Sequence, residues 1–293
     1  MSNITSSIGS LTGGLPTVSQ DMAPTIIFLV LYILTTALCF YRLTTQYRRP
    51  TRLFFTFVRF PLFELARIAT FIMRALLAEN FTKVLKGQAS INKNLIIGEQ
   101  ILLGIGFLIP ASVLVRLAGF HGSRFEGGDI LGGRRRATWF LEIMLIVAIA
   151  FGIIAGTNFS GALTDPSKAK DVKHDRVISS AITLAVLVIL VFYCISLASR
   201  PNFPRATSLW LGLTSALLII VPAYRIHNTL NPPASADSAA SKAEFYILQI
   251  TVEWLVGASI LAVNVKEWCG IQDTSYLDPA DVQTQKVYLM QPV

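Results

Sequence analysis

Seven runs of about twenty or more mostly apolar residues, separated by short polar segments, constrain this chain more than any other feature. They lie at 24–42, 52–77, 94–118, 138–157, 176–198, 206–226 and 243–266. The hydrocarbon core of a bilayer is about 30 Å thick, and a helix rising about 1.5 Å per residue crosses it in about 20 residues. No water reaches that layer, so each segment must satisfy its own backbone N–H and C=O groups, which selects helices. The expectation is an all-α fold, a seven-transmembrane-helix bundle over 24–266. An extracellular segment 1–23 precedes it and a cytosolic tail 267–293 follows. Composition agrees. The chain is 53% hydrophobic and only 14% charged, against about 25% charged in an average soluble domain. That excludes a disordered chain, a disulfide-rich secreted module and an ordinary cytosolic enzyme. The net charge of +8 would suggest nucleic-acid binding in a soluble protein. Here the bases sit between apolar runs, where they orient helices and meet anionic headgroups. Membrane lipids, not nucleic acid, are the expected partners.

The basic residues also set an orientation. The first 23 residues contain no Lys or Arg, and the first apolar run is followed by Arg42, Arg48, Arg49 and Arg52. Such a cluster holds its end of the helix in the cytosol and leaves the N-terminus outside. Threaded through seven spans, the cytosolic segments carry 13 Lys and Arg and the outer segments 9. Three glycosylation sequons, at Asn3, Asn80 and Asn158, all fall outside on this threading. Only Asn3 stands well clear of the membrane, so it is the candidate acceptor. The implied location is the plasma membrane or another membrane of the secretory pathway.

Ionisable side chains inside apolar runs cost about 2.5–3.5 kcal/mol each at mid-membrane on insertion scales, so they need partners. The run at 52–77 is the least apolar, carrying Arg59, Glu64, Arg67 and Arg74; without it six spans remain. At 100° per residue, Glu64, Arg67 and Arg74 fall within about 80° of one another, on one face turned into the bundle. Glu64 and Arg67, at i and i+3, form the expected ion pair. Glu99, followed by Gln100, lies just over one turn into the third run; Glu253, one turn past Gln249, lies near the middle of the seventh. Counting rise from the ends puts Arg67, Glu99 and Glu253 at overlapping depths in the outer half of the bilayer. Glu64, Arg67, Arg74, Glu99, Gln100, Gln249 and Glu253 thus make a candidate polar site between spans two, three and seven. It reads either as a ligand, ion or proton-coupled transport site, or as a salt-bridge clamp that fixes helix register. Glu142, near the entrance of the fourth run, is expected to snorkel or to pair with Arg134–Arg136.

Other chemistry finds little purchase. The three histidines, His121 in a cytosolic loop and His174 and His227 in outer loops, have no metal-ligand spacing, so neither a metal nor a metal-dependent hydrolase is expected. Cys39, Cys194 and Cys269 lie at or beyond cytosolic ends and build no extracellular disulfide; Cys269 is a free thiol or a palmitoylation site. The glycine-rich basic loop after span three lacks the G-K-[ST] of a phosphate loop. Gly152-x-x-x-Gly156 is a helix-packing signal, and Pro232–Lys242 reads as a low-complexity connection. No D/E-R-Y follows span three, and span seven has no N-P-x-x-Y and no mid-membrane lysine for a retinal Schiff base. No cofactor and no enzymatic activity are expected.

Spans two and three, FVRFPLFELARIATFIMRALL and GEQILLGIGFLIPASVLVRLAGFHGSR, resemble a fungal family of seven-helix membrane proteins without an assigned function. The likeness rests on Arg67, on Gly104, Gly106, Pro110 and Arg116, and on Glu253, and follows the layout of most of the chain. The chain is more distantly similar to the fungal lipid-translocating exporters, which also have seven helices and an outer N-terminus. That similarity implies a lipid-handling or membrane-stress role. The sequence reading is therefore a multi-pass transporter or lipid exporter acting on a small-molecule or lipid ligand. A ligand-sensing receptor and a structural scaffold are the alternatives.

Overall fold

The computed structural model describes residues 12–48, 51–123, 133–162, 165–201, 203–233, 238–269 and 271. Asn3, most of the loop after span three, residues 234–237 of the low-complexity connection, and the tail from 272 onward lie outside them. Every regular element among the described residues is helical. In chain order these are α1 (Val18–Thr45), α2 (Thr51–Phe57), α3 (Arg59–Leu85), α4 (Lys93–Gly106), α5 (Leu108–Ser123) and α6 (Gly133–Ala162). There follow α7 (Pro166–Ala198), α8 (Arg205–Leu230), α9 (Ala239–Glu244), a π-helical segment (Phe245–Thr251), α10 (Val252–Ala262) and α11 (Val265–Trp268).

Among the described residues, six helical units are long and apolar enough to cross a membrane: α1, α4 with α5, residues 137–159 of α6, α7, α8, and residues 239–262. The chain is thus a multi-pass integral membrane protein. The helix α3 is as long, at 27 residues, but its charged residues keep it out of this set.

The helices run beyond the apolar stretches, which corrects several assignments. The first begins at Val18, so residues 18–23 are helical and not part of an extended outer segment. The fifth apolar run is the inner part of α7, which starts ten residues earlier, where Asp165 accepts the Ser167 N–H at 2.9 Å and Pro166 takes the first helical turn. His174 and His227 are therefore helical. So is His121, which is buried at the end of α5 with its Nε2 2.8 Å from Ser208 Oγ and its ring edge-on to Phe203. Lys242, assigned to the low-complexity loop, is buried at the head of the last span.

Two spans are interrupted. The third divides at Phe107, because Pro110 has no N–H to offer Gly106 and its ring crowds that carbonyl. Gly104 and Gly106 weaken the same turn. The last span opens into the π segment, where Thr251 Oγ1 donates to Tyr246 O at 2.8 Å.

The bundle encloses a large apolar core in which buried polar residues are set, and its outer surface is apolar. Leu62, Leu65, Ile72 and Leu76 are exposed along α3, as are Ile26, Ile27, Val30, Ile33 and Leu34 along α1. The charged face of α3 points inward. The helix α5 lies at the middle, against α3, α6, α7, α8 and α10. The Gly152-x-x-x-Gly156 face of α6 packs closely: a Cβ at Gly156 would overlap Ile101 of α4, and one at Gly152 would touch Ser179 of α7.

Candidate functional site

The polar residues of the interior divide into two centres strung along α3. Arg74 anchors the first. Its Nη1 donates to Glu99 Oε1 at 2.7 Å, and its Nη2 donates to Asp21 Oδ1 at 2.5 Å and to Gly13 O at 2.8 Å. Its Nε reaches Tyr246 Oη at 2.9 Å and Asp21 Oδ1 at 3.1 Å, and the guanidinium lies 4.7 Å from the Phe245 ring centroid. Lys242 Nζ completes the group, 2.9 Å from Asp21 Oδ2. Two cations therefore face two carboxylates, and every nitrogen of Arg74 has an acceptor.

The residues just before α1 are fastened to this centre. Thr12 exchanges both backbone hydrogen bonds with the Gln100 side chain, at 3.2 and 3.3 Å. Gly13 has φ +81°, and a Cβ there would press on Phe245 and Arg74, so the tight approach requires glycine. Arg176 Nη2 also donates to Gln100 Oε1, at 3.2 Å, with its guanidinium over the Phe159 ring.

Arg67 anchors the second centre, two turns further along α3. It is fully buried and forms an ion pair with Glu253. Its Nη1 donates to Leu102 O at 3.3 Å. From the other side, Arg225 Nη1 donates to Leu103 O at 2.8 Å, with its guanidinium over the Phe107 ring. The break at Phe107 explains both contacts. Leu102 and Leu103 stand in the last turn of α4 beside that interruption, at the negative end of the helix dipole, where two guanidiniums are favoured. Gly106 is what lets Arg67 in: a Cβ there would overlap the guanidinium.

The second centre leaves many polar atoms unanswered. Among the described residues, Arg67 Nε, Arg225 Nε, Tyr32 Oη and Tyr224 Oη are buried without a hydrogen-bond partner, and the Gln249 amide has the Glu253 carboxylate as its neighbour. Tyr32 and Glu64 lie within electrostatic reach of the Arg67–Glu253 pair. Glu64 itself accepts from Thr35 Oγ1 at 2.6 Å and has no cation within salt-bridge distance among the described residues.

All seven candidate residues, Glu64, Arg67, Arg74, Glu99, Gln100, Gln249 and Glu253, are thus buried and inward, but they do not form one cluster. Glu99 and Gln100 join Arg74, whereas Gln249 and Glu253 join Arg67. The partner expected for Arg67, Glu64, is displaced by Glu253. Glu142 pairs with Arg116 at 2.5 Å; the arginines 134–136, with which a pairing was expected, have side chains outside the described residues. Asp21, Lys242, Tyr246, Arg176 and Arg225 were not anticipated. Each sits within the first or last turns of a helix, beyond or at the edge of the apolar run that announced it. Cys39, Cys194 and Cys269 are buried. Among the described residues no cluster of His, Cys, Asp and Glu is arranged to hold a metal ion. Comparison of the chain with protein-family models, with curated proteins and with solved structures returns no match.

Proposed function

We propose that the protein is a seven-span transporter of a small polar solute, with its solute site at the Arg67–Glu253 centre. The observation that carries this reading is the group of buried polar atoms without partners around the Arg67–Glu253 pair, Arg67 Nε, Arg225 Nε and Tyr32 Oη among them, beside the helix interruption at Phe107. Native interiors satisfy nearly all such atoms. Interrupted helices whose ends face the bundle centre are also how many transporters present backbone groups to a solute. The π segment next to Gln249 is of the kind that recurs at functional sites. The Arg74 centre, with no group left over, serves as the clamp.

The reading of α3 as the seventh span rests on its inside-out pattern. Leu62, Leu65, Ile72 and Leu76 form a lipid-facing stripe, while Glu64, Arg67 and Arg74 face inward. An outer N-terminus gains support from the burial of Arg176, Arg225 and Lys242, three of the nine cations counted outside. Setting them aside leaves six outer against thirteen cytosolic.

Two experiments test the reading. Epitope tags at the two ends should lie on opposite faces in intact cells; both on one face would remove the seventh span. In proteoliposomes with an entrapped pH dye, a panel of small organic cations, anions and neutral polar solutes should include at least one that the wild type moves. Arg67→Lys should stay folded and move none, because a lysine cannot hold a carboxylate and a carbonyl in one planar fork. A folded wild type that moves no solute counts against transport, and a fully active Arg67→Lys counts against the site.

A further inference from the structure

We propose that the cleft between α3, α5 and α6 binds one anionic glycerophospholipid of the surrounding bilayer. The site is separate from both buried centres. It lies at the end of the bundle where α3 begins, near the Tyr47–Phe57 ring stack that joins the end of α1 to α2. It consists of two adjoining hollows of about 450 and about 250 Å³ that share Arg116 and Glu142.

Among the described residues, the polar end carries a positive charge that no carboxylate neutralises. Arg116 is paired with Glu142. Arg59 donates only to Ser112 Oγ, at 3.4 Å, and has no carboxylate within salt-bridge distance among the described residues. Two guanidiniums therefore face one carboxylate, leaving one positive charge at the rim of an apolar surface. The smaller hollow continues from Arg59 along Leu62 and Ile146, which are 58% and 64% exposed on the lipid-facing side. The larger is walled by Trp139, an exposed aromatic at the level where such rings meet headgroups. A phosphodiester bound by Arg59 would lay its acyl chain against Leu62 and Ile146. A free phosphate ion would gain the same guanidinium but would have to leave water for a wall of hydrocarbon, and so fits less well.

Trp139 reports on the site directly. The full-length protein is reconstituted in phosphatidylcholine vesicles with a minor share of phosphatidylglycerol brominated in its acyl chains, or with the same share of brominated phosphatidylcholine. The Trp139 component of quenching is the difference between wild type and Trp139→Phe. The anionic lipid should quench that component at about fivefold lower mole fraction than the zwitterionic one, the ratio that one added charge contact gives. Arg59→Gln should erase the advantage and Arg59→Lys should keep most of it. Raised salt should shrink it in the unaltered protein, a reading that depends on no variant. Equal quenching by the two lipids, an undiminished advantage in Arg59→Gln, or insensitivity to salt would overturn the proposal. Reversal by inorganic phosphate would overturn the assignment to a lipid.

Discussion

Arg74 and Arg67 stand seven residues apart on the same helix, about 10 Å along its axis, equally buried, yet their surroundings differ in kind. Around Arg74 each nitrogen has an acceptor, and Lys242 and Asp21 close the charge balance. Around Arg67 a single carboxylate and one carbonyl serve a guanidinium whose Nε has no partner, beside Arg225 Nε and Tyr32 Oη, which have none either. A fully satisfied buried network rigidifies, whereas a partly satisfied one carries a desolvation cost that selection for stability alone would remove. On the proposed reading, the contrast separates a clamp from a site. It also places the clamp where α1, α4 and the last span begin, so that one guanidinium ties three helix starts to α3.

The contrast breaks most readily at Arg74. Arg74→Ala strands Asp21 and Glu99 and should cost about 3–5 kcal/mol, as breaking a buried pair usually does. The readout is thermal unfolding in detergent; a melting temperature close to wild type would remove the clamp. Gly106→Ala should cost less, about 1–3 kcal/mol, by forcing Arg67 off Leu102. Gly104→Ala is its control, since a Cβ there meets Arg225 and Gly152 only at 3.9 Å and should change little. Equal effects would mean that Arg67 has room to move.

The two glutamines sharpen the comparison. Gln100→Leu removes the groups that hold Thr12 and should destabilise by about 1–3 kcal/mol. Gln249→Leu removes an amide whose one neighbour is the Glu253 carboxylate and should cost less stability than Gln100→Leu, while abolishing solute uptake. A loss of stability at Gln249 equal to that at Gln100 would show the second centre to be structural too. Outside both centres, Asp165 provides a reference of small effect. The hydroxyl and N–H of Ser167 hold its carboxyl below the usual carboxylate range. Its stabilisation is present at neutral pH and lost as pH falls through the folded-state pKa. The melting difference between wild type and Asp165→Asn should therefore vanish in acid; a difference that grows there would reverse the sign.

The shared face of Glu64, Arg67 and Arg74 was readable from helical periodicity, and all three point inward as that spacing requires. Their partners were readable only in part: Glu253 was among the carboxylates expected near Arg67, whereas Asp21 and Lys242 at Arg74 were not foreseen. Pairing depends on depth, and depth was counted from the edges of apolar runs. Asp21 and Lys242 lie outside those runs and still belong to the helices, so the level of Arg74 was missed. The break at Phe107 and the π segment at Phe245–Thr251 then alter the register of Glu99 against Glu253. Pro110 announced the first of these, but a kinked helix and a broken one have the same sequence requirement. Nothing in the residue pattern announced the π segment.

The account turns on whether the Arg67–Glu253 centre is reached by solutes from water. Gln249→Cys and Gln100→Cys, each introduced into the full chain, whose three native cysteines are buried, are exposed in membranes to a water-soluble, membrane-impermeant thiol reagent. Labelling above the wild-type background should appear at position 249 and not at position 100, because a transport site opens to water in its working cycle and a clamp does not. A position 249 that stays inert from both faces of the membrane, or labels no faster than position 100, would contradict the account.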